Sequence, residues 1–221
     1  MLVKNYMTRH PIMIEPTKRI FEAQKIMVEN NIRHLPVAGD GKRLLGLITR
    51  QRMQVAPEKL ASLEVWEITR YLADLTVEKV MVKARDVIVA TPEDTLEEAA
   101  ALIIRHKVGG VVVVEDNMVV GVLTETDLLI ELQNLLGANE PGWRVTVRIP
   151  DKTGEVSKLT GALAERGWGI MSWGSGRAPK ASDYWDIVLK VRNCKKEELE
   201  AVLKTIDTQE IIDIREAKVY T

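Results

Sequence analysis

The chain repeats itself. Met7 recurs as Met81, Pro16 as Pro92, Ala23 as Ala99, Val37 as Val113 and Gly46 as Gly121, a displacement of 74 to 76 residues. A period held this closely means one supersecondary unit copied once, with small loop insertions. In the second copy Val87-Ile88-Val89 reads as a strand. Thr95 and Glu98 have the spacing of a capping box and open a helix with Leu96, Ala99, Ala100 and Ile103 on one face. Gly109-Gly110 leads into the branched run Val111 to Val114, and Asp116-Asn117 turns the chain into Val119 to Leu123. Thr124 and Asp127 then begin a helix that runs to Leu136. The first copy follows the same order: Ile12 to Ile14, a helix from Ile20 to Val28, then Leu35 to Val37 and Leu44 to Ile48 around the turn Gly39-Asp40-Gly41. Between the copies Trp66, Ile68, Leu72 and Leu75 lie at helical spacing and predict a linking helix.

Beyond the turn-rich stretch Asn139-Glu140-Pro141-Gly142 the composition changes, and four of the five tryptophans (Trp143, Trp168, Trp173, Trp185) fall there. The pattern is a strand from Arg144 to Ile149, a helix with Val156, Leu159, Thr160 and Leu163 on one face, strands Ile170 to Trp173 and Trp185 to Val191, a helix with Leu199, Val202, Leu203 and Ile206, and a strand from Ile211 to Tyr220. This β-α-β-β-α-β order is ferredoxin-like. The expected architecture is therefore mixed α/β (α+β): one copy over residues 1–60, a linking helix over 61–78, the second copy over 79–138 and a separate domain over 143–221. Scattered methionines read as core filler, and the tryptophans as a dimer face.

Chemistry-bearing motifs are scarce. The formal net charge of −1 gives no global field for nucleic acid, so nucleic-acid binding is not expected. Cys194 is alone, and no apolar run of 18 residues occurs, so we expect a cytoplasmic protein without a membrane span. His10, His34 and His106 stand far apart outside any metal-ligand spacing, so no metal is expected. Nucleophile-elbow, P-loop and dinucleotide-fold signatures are missing. The expectation is a protein that is not an enzyme and needs no cofactor.

Met7-Thr8, Asn31-Ile-Arg-His-Leu-Pro-Val37, Gly46-Leu-Ile-Thr49, Val80-Met81 and Gly121-Val-Leu-Thr-Glu-Thr-Asp127 resemble a tandem pair of cystathionine-β-synthase (CBS) domains, a Bateman module. Ile149-Pro-Asp-Lys-Thr-Gly154, Leu159-Thr-Gly-Ala-Leu-Ala-Glu-Arg-Gly167 and Gly169-Ile170 resemble an ACT domain. The order is similar to that of acetoin-utilisation AcuB-like regulatory proteins. The resemblance implies a cleft for AMP, ADP, ATP or S-adenosylmethionine, homodimerisation, and regulation of a partner that the sequence does not name.

Within that frame Asp127 is the candidate acceptor for both ribose hydroxyl hydrogens, with Thr124 beside it at a helix N-terminus. The same two residues also read as a plain helix cap. Arg33, His34 and Arg50 are the candidate phosphate contacts, against a reading as surface charges and a half-buried imidazole. Gly109 and Gly110 would let the backbone approach adenine, or form only a tight turn. Arg52 stands in the first copy where the second has Asp127 and cannot accept a hydroxyl hydrogen, so one good nucleotide site per chain is expected. In the C-terminal domain Asp151 and Gly154 mark a candidate amino-acid effector site at a helix N-terminus. An uninvolved turn is the favoured alternative there. Gly169 replaces the asparagine usual in ACT domains. The rival to the sensor reading is a dimerisation or protein-interaction scaffold with no nucleotide.

Overall fold

The computed structural model describes residues 1–53 and 64–218. Two compact units divide the chain, Met1–Leu128 and Leu129–Thr221.

In the first unit the elements run β1 (Thr8–Arg9), α1 (Ile20–Glu29), β2 (His34–Ala38), β3 (Leu44–Thr49), α2 (Val65–Asp74), α3 (Val77–Val80), β4 (Val82–Lys83), β5 (Val89–Ala90), α4 (Leu96–His106), β6 (Gly110–Glu115) and β7 (Met118–Thr124), with α5 (Glu125–Leu135) leaving it. The expected linking segment opens outside the described residues. From Val65 it is helical, with Trp66 exposed and Leu75 buried, and the side chains of Ile68 and Leu72 lie outside the described residues. Thr95 and Glu98 form the predicted capping box: the Glu98 amide donates to Thr95 Oγ1 at 3.2 Å and the Thr95 amide donates to Glu98 Oε2 at 2.8 Å. Of the expected strand Ile12 to Ile14 only a parallel bridge from Ile14 to Val37 forms, and its counterpart in the second copy is the short parallel pairing of β5 with β6.

The two copies exchange strands. One sheet has the order β1-β7-β6-β5 and the other β2-β3-β4. Thus β1, from the first copy, pairs with β7 of the second (Thr8 opposite Val122, Arg9 opposite Gly121), while β4, at the head of the second copy, pairs with β3 of the first (Gly46 opposite Lys83, Leu47 opposite Val82). This explains why the same two residue types recur together. A Cβ on Gly46 would lie 2.7 Å from Met81 Sδ, and one on Gly121 would collide with Met7 Sδ, so each copy's methionine packs on the other copy's glycine. Each half keeps its own core, Met27, Leu35, Val37 and Ile48 in one, Ala99, Val111, Val113 and Leu123 in the other. Leu47, Val87, Val112 and Val119 form a third cluster that joins them.

The second unit contains β8 (Trp143–Pro150), α6 (Glu155–Ala164), β9 (Gly169–Ala178), β10 (Ala181–Arg192), α7 (Lys196–Leu203) and β11 (Glu210–Glu216). Its four strands are antiparallel in the order β11-β8-β10-β9, which is the ferredoxin-like arrangement. Alternate residues of β8 (Val145, Val147, Ile149) point to the helices and meet Leu159 and Leu163 of α6 and Leu199 and Leu203 of α7. The hairpin of β9 and β10 is longer than the sequence predicts and closes on Pro179-Lys180. Expected strand residue Tyr220 lies outside the described residues. Trp143, Trp168, Trp173 and Trp185 pack, partly buried, against this unit's own core, and Arg177 lies 4.4 Å from the Trp185 ring centroid.

Candidate functional site

Strand exchange brings the end of β7 and the first turn of α5 against the segment 30–34 of the first copy. A cavity of about 620 Å³ lies between them, lined by Thr124 and Asp127 on one side and by Arg33, His34 and Arg50 on the other. The backbone sets these positions. The Arg50 amide donates to the Arg33 carbonyl at 3.2 Å, and at the matching place in the other copy the Glu125 amide donates to the Gly109 carbonyl at 3.1 Å. Each strand-to-helix junction is thereby tied to the start of its neighbouring strand.

Asp127 occupies the third position of α5. Its Oδ2 accepts both the Thr124 amide and the Thr124 hydroxyl, each at 2.7 Å. The capping reading is therefore realised, and it orients rather than consumes the carboxylate. Among the described residues Oδ1 has no protein partner, so one oxygen is fixed while the other can accept from a ligand. Arg33 and Arg50 are exposed and make no ion pair among the described residues. His34 differs from them. Burial, then the charge of Arg33, holds its imidazole below the ordinary histidine range, with Glu125 partly opposing. It is thus neutral at pH 7, a hydrogen-bonding group, and the two arginines alone supply positive charge.

The glycines fall elsewhere. Gly109 and Gly110 line a second cavity of about 750 Å³ together with Thr49 and Arg52, and not the one that holds Asp127. Because the copies exchange strands, each junction faces the opposite copy's segment, so residues 109 and 110 face Thr49 and Arg52. Gly109 leaves room for the His34 ring, whose Cε1 would be 3.2 Å from a Cβ there, and a Cβ on Gly110 would lie 2.8 Å from the Leu123 carbonyl oxygen of β7. Arg33, His34 and Arg50 border both cavities. Sequence reasoning missed His10 and Asn31, which line the Asp127 cavity. His10 follows β1, which must cross to the other sheet before His10 faces the cavity, and Asn31 belongs to the motif Asn31 to Val37, in which the candidate contacts are Arg33 and His34.

In the C-terminal unit Asp151 and Gly154 have different surroundings. Asp151 lines a shallow depression with Arg177, Lys180 and Ser182, and Gly154 is absent from that lining. Arg177 Nη1 donates to Asp151 Oδ2 at 2.6 Å, and this bond holds the Asp151 carboxyl below the usual range. Gly154, at φ 92°, is the N-cap of α6. The buried Glu155 carboxylate next to it takes hydrogen bonds from Lys158 Nζ and Thr208 Oγ1, both at 2.6 Å, and is pushed down to about 2, by Lys158 first. Among the described residues no group of three or more His, Cys, Asp or Glu could hold a metal ion, and no helix is long and apolar enough to cross a membrane.

Comparison with known proteins agrees with this geometry. The CBS domain family matches residues 3–54 and 77–134. A putative acetoin utilization protein (AcuB) from Vibrio cholerae superposes with a TM-score of 0.51 and 28% identity, over 62% of this chain and 95% of that one. A CBS-domain pair crystallised with 5′-methylthioadenosine and S-adenosyl-L-methionine superposes with a TM-score of 0.50 and 28% identity, over 61% and 97%. Among curated proteins the chain is 32% identical over 130 residues to an L-aspartate semialdehyde sulfurtransferase of Methanocaldococcus jannaschii and 31% identical over 129 residues to a homoserine O-acetyltransferase of Methanocorpusculum labreanum. This chain covers only 22% and 23% of those two proteins and 58% of itself. Repeat, exchanged strands and family match agree: residues 3–54 and 77–134 are a tandem pair of CBS domains.

Proposed function

We propose that this protein is a non-catalytic ligand sensor that binds an adenine nucleotide or S-adenosylmethionine in the Asp127 cavity. The observation that carries this reading is the meeting, in one cavity, of a carboxylate from one copy with two arginines from the other that make no ion pair among the described residues. Asp127 Oδ1 would accept ribose hydroxyl hydrogens, Arg33 and Arg50 would hold phosphate, and neutral His34 would donate or accept a single hydrogen bond. The similarity to a CBS-domain pair crystallised with adenosine derivatives supports the ligand class.

In the same reading the C-terminal unit is an ACT domain that relays the ligand state to a regulated protein. It does so without binding an amino acid at Asp151, which Arg177 already engages. The chain works in the cytoplasm as a homodimer, a regulatory protein of the AcuB kind. Leu129, Ile130, Leu132 and Leu135 of α5, each at least half exposed, favour such pairing and equally suit the scaffold reading, in which no nucleotide binds.

Melting the protein with and without AMP, ADP, ATP or S-adenosylmethionine separates the two readings. A ligand at one hundred times its Kd adds about 2.7 kcal/mol to the folded state, a shift of several degrees. No shift with any of the four leaves the scaffold.

A further inference from the structure

The second cavity shares the repeat geometry of the first but not its chemistry. Leu47, Val87, Ile88 and Val108 give it an apolar wall, and Arg33, Arg50, Arg52 and Lys107 give it four cations. Among the described residues Asp86 is its only carboxylate, and Arg85 lies 3.4 Å from that group. Among the described residues the side chains of the four cations make no hydrogen bond or ion pair. An apolar wall suits a base, but the ribose position is inverted: Arg52 stands where the other cavity has Asp127. Its backbone amide donates to Thr49 Oγ1 at 3.4 Å, and Arg52 lines the cavity with its guanidinium unpaired among the described residues. Exchange of an acidic ribose partner for an arginine is the physical difference between sites that read a free ribose hydroxyl and sites that accept a phosphate on it. A carboxylate there would repel that phosphate, whereas a guanidinium meets two of its oxygens at once.

We propose that the Arg52 cavity is a second ligand site, selective for a nucleotide whose ribose carries a phosphate on its 2′ or 3′ hydroxyl. Arg52 binds the ribose phosphate, and the remaining cations bind the 5′-phosphate. The proposal extends the adenosine reading of the Asp127 cavity to its partner, but it can be tested separately.

The test is calorimetric titration with adenosine 2′,5′-bisphosphate, adenosine 3′,5′-bisphosphate and AMP. Arg33 and Arg50 border both cavities, so the informative variants are Asp127→Asn, Arg52→Ala and Arg52→Asp. Arg52 is exposed and its fold contact is a backbone one, so these changes should leave the melting temperature within a degree or two. At least one bisphosphate should bind Asp127→Asn as well as it binds the unaltered chain. Arg52→Ala should weaken it about tenfold or more, and Arg52→Asp further. Bisphosphate affinity unchanged in Arg52→Ala, or no binding of either bisphosphate to the unaltered chain, overturns the proposal. AMP binding that persists while both bisphosphates fail leaves the Asp127 reading intact. The reverse outcome removes the Asp127 reading and keeps this one.

Discussion

Replacing Asp127 by asparagine separates its two roles. In the folded chain Oδ2 accepts two hydrogen bonds at 2.7 Å from Thr124, and an asparagine Oδ1 in the same position can accept both. The cap is then kept, so stability should change by less than about 0.5 kcal/mol, whereas Asp127→Ala loses the cap and should cost about 0.5–2 kcal/mol. Toward a ligand the effect is opposite in emphasis. Asparagine presents an NH2 group where the free carboxylate oxygen stood, and that group cannot accept a hydroxyl hydrogen. Hydrogen bonds to a charged group contribute about 1.5–3 kcal/mol each. Asp127 is half-buried, so the lower end applies, and the loss of one such bond should weaken AMP about tenfold. Both substitutions should therefore weaken binding, while only alanine lowers the melting temperature in the absence of ligand. Calorimetric titration and a melting curve on the same samples give both quantities. An Asp127→Asn protein that binds AMP within about twofold of the original, less than the loss of even one hydrogen bond, would refute the ribose assignment and leave Asp127 as a cap.

Other expectations follow from single contacts. Gly121→Ala forces a methyl into Met7 Sδ and should destabilise the first unit by about 1–3 kcal/mol, with part recovered when Met7→Ala is added, as chemical denaturation of the double-mutant cycle would show. His34 titrates below its unfolded value of 6.5, so the unfolded chain takes up its proton first. Stability should be complete above pH 6.5 and fall as pH drops toward the folded pKa, a slope that His34→Gln removes and that an NMR titration of the ring protons locates. Glu155, held at about 2 against 4.5 in the unfolded chain, contributes stability above pH 4.5 that is lost as pH falls toward 2, and Glu155→Gln should flatten acid melting of the C-terminal unit over that range.

Elements with strong local patterns are legible in the sequence. The helix opened by Thr95 and Glu98, the branched strand Val111 to Val114 and the alternation of Val145, Val147 and Ile149 need only neighbours a few residues away to declare themselves. The β9–β10 hairpin exceeds its sequence signal because Gly174-Ser-Gly176 and Ala178-Pro179-Lys180 read as loop. Cross-strand pairing overrides that local preference, with Gly174 opposite Val188 and Gly176 opposite Asp186. His34 reads in the sequence either as a phosphate contact or as a half-buried imidazole, and burial, visible only in the structure, holds it below the ordinary histidine range.

What the sequence by itself determined is the duplicated unit, its order of helices and strands, and the difference between Asp127 and Arg52 at equivalent places, since repetition and hydrophobic period are properties of the chain alone. Which residues face one another was decided only by the tertiary structure. Two-residue strands such as Thr8–Arg9 and Val82–Lys83 are too short to carry a pairing preference, and they gain their partners through Met7 on Gly121 and Met81 on Gly46, contacts between residues far apart in the chain. That exchange places Arg33 and Arg50 on the border of two cavities of different chemistry, one lined by Asp127 and the other by Arg52, Gly109 and Gly110.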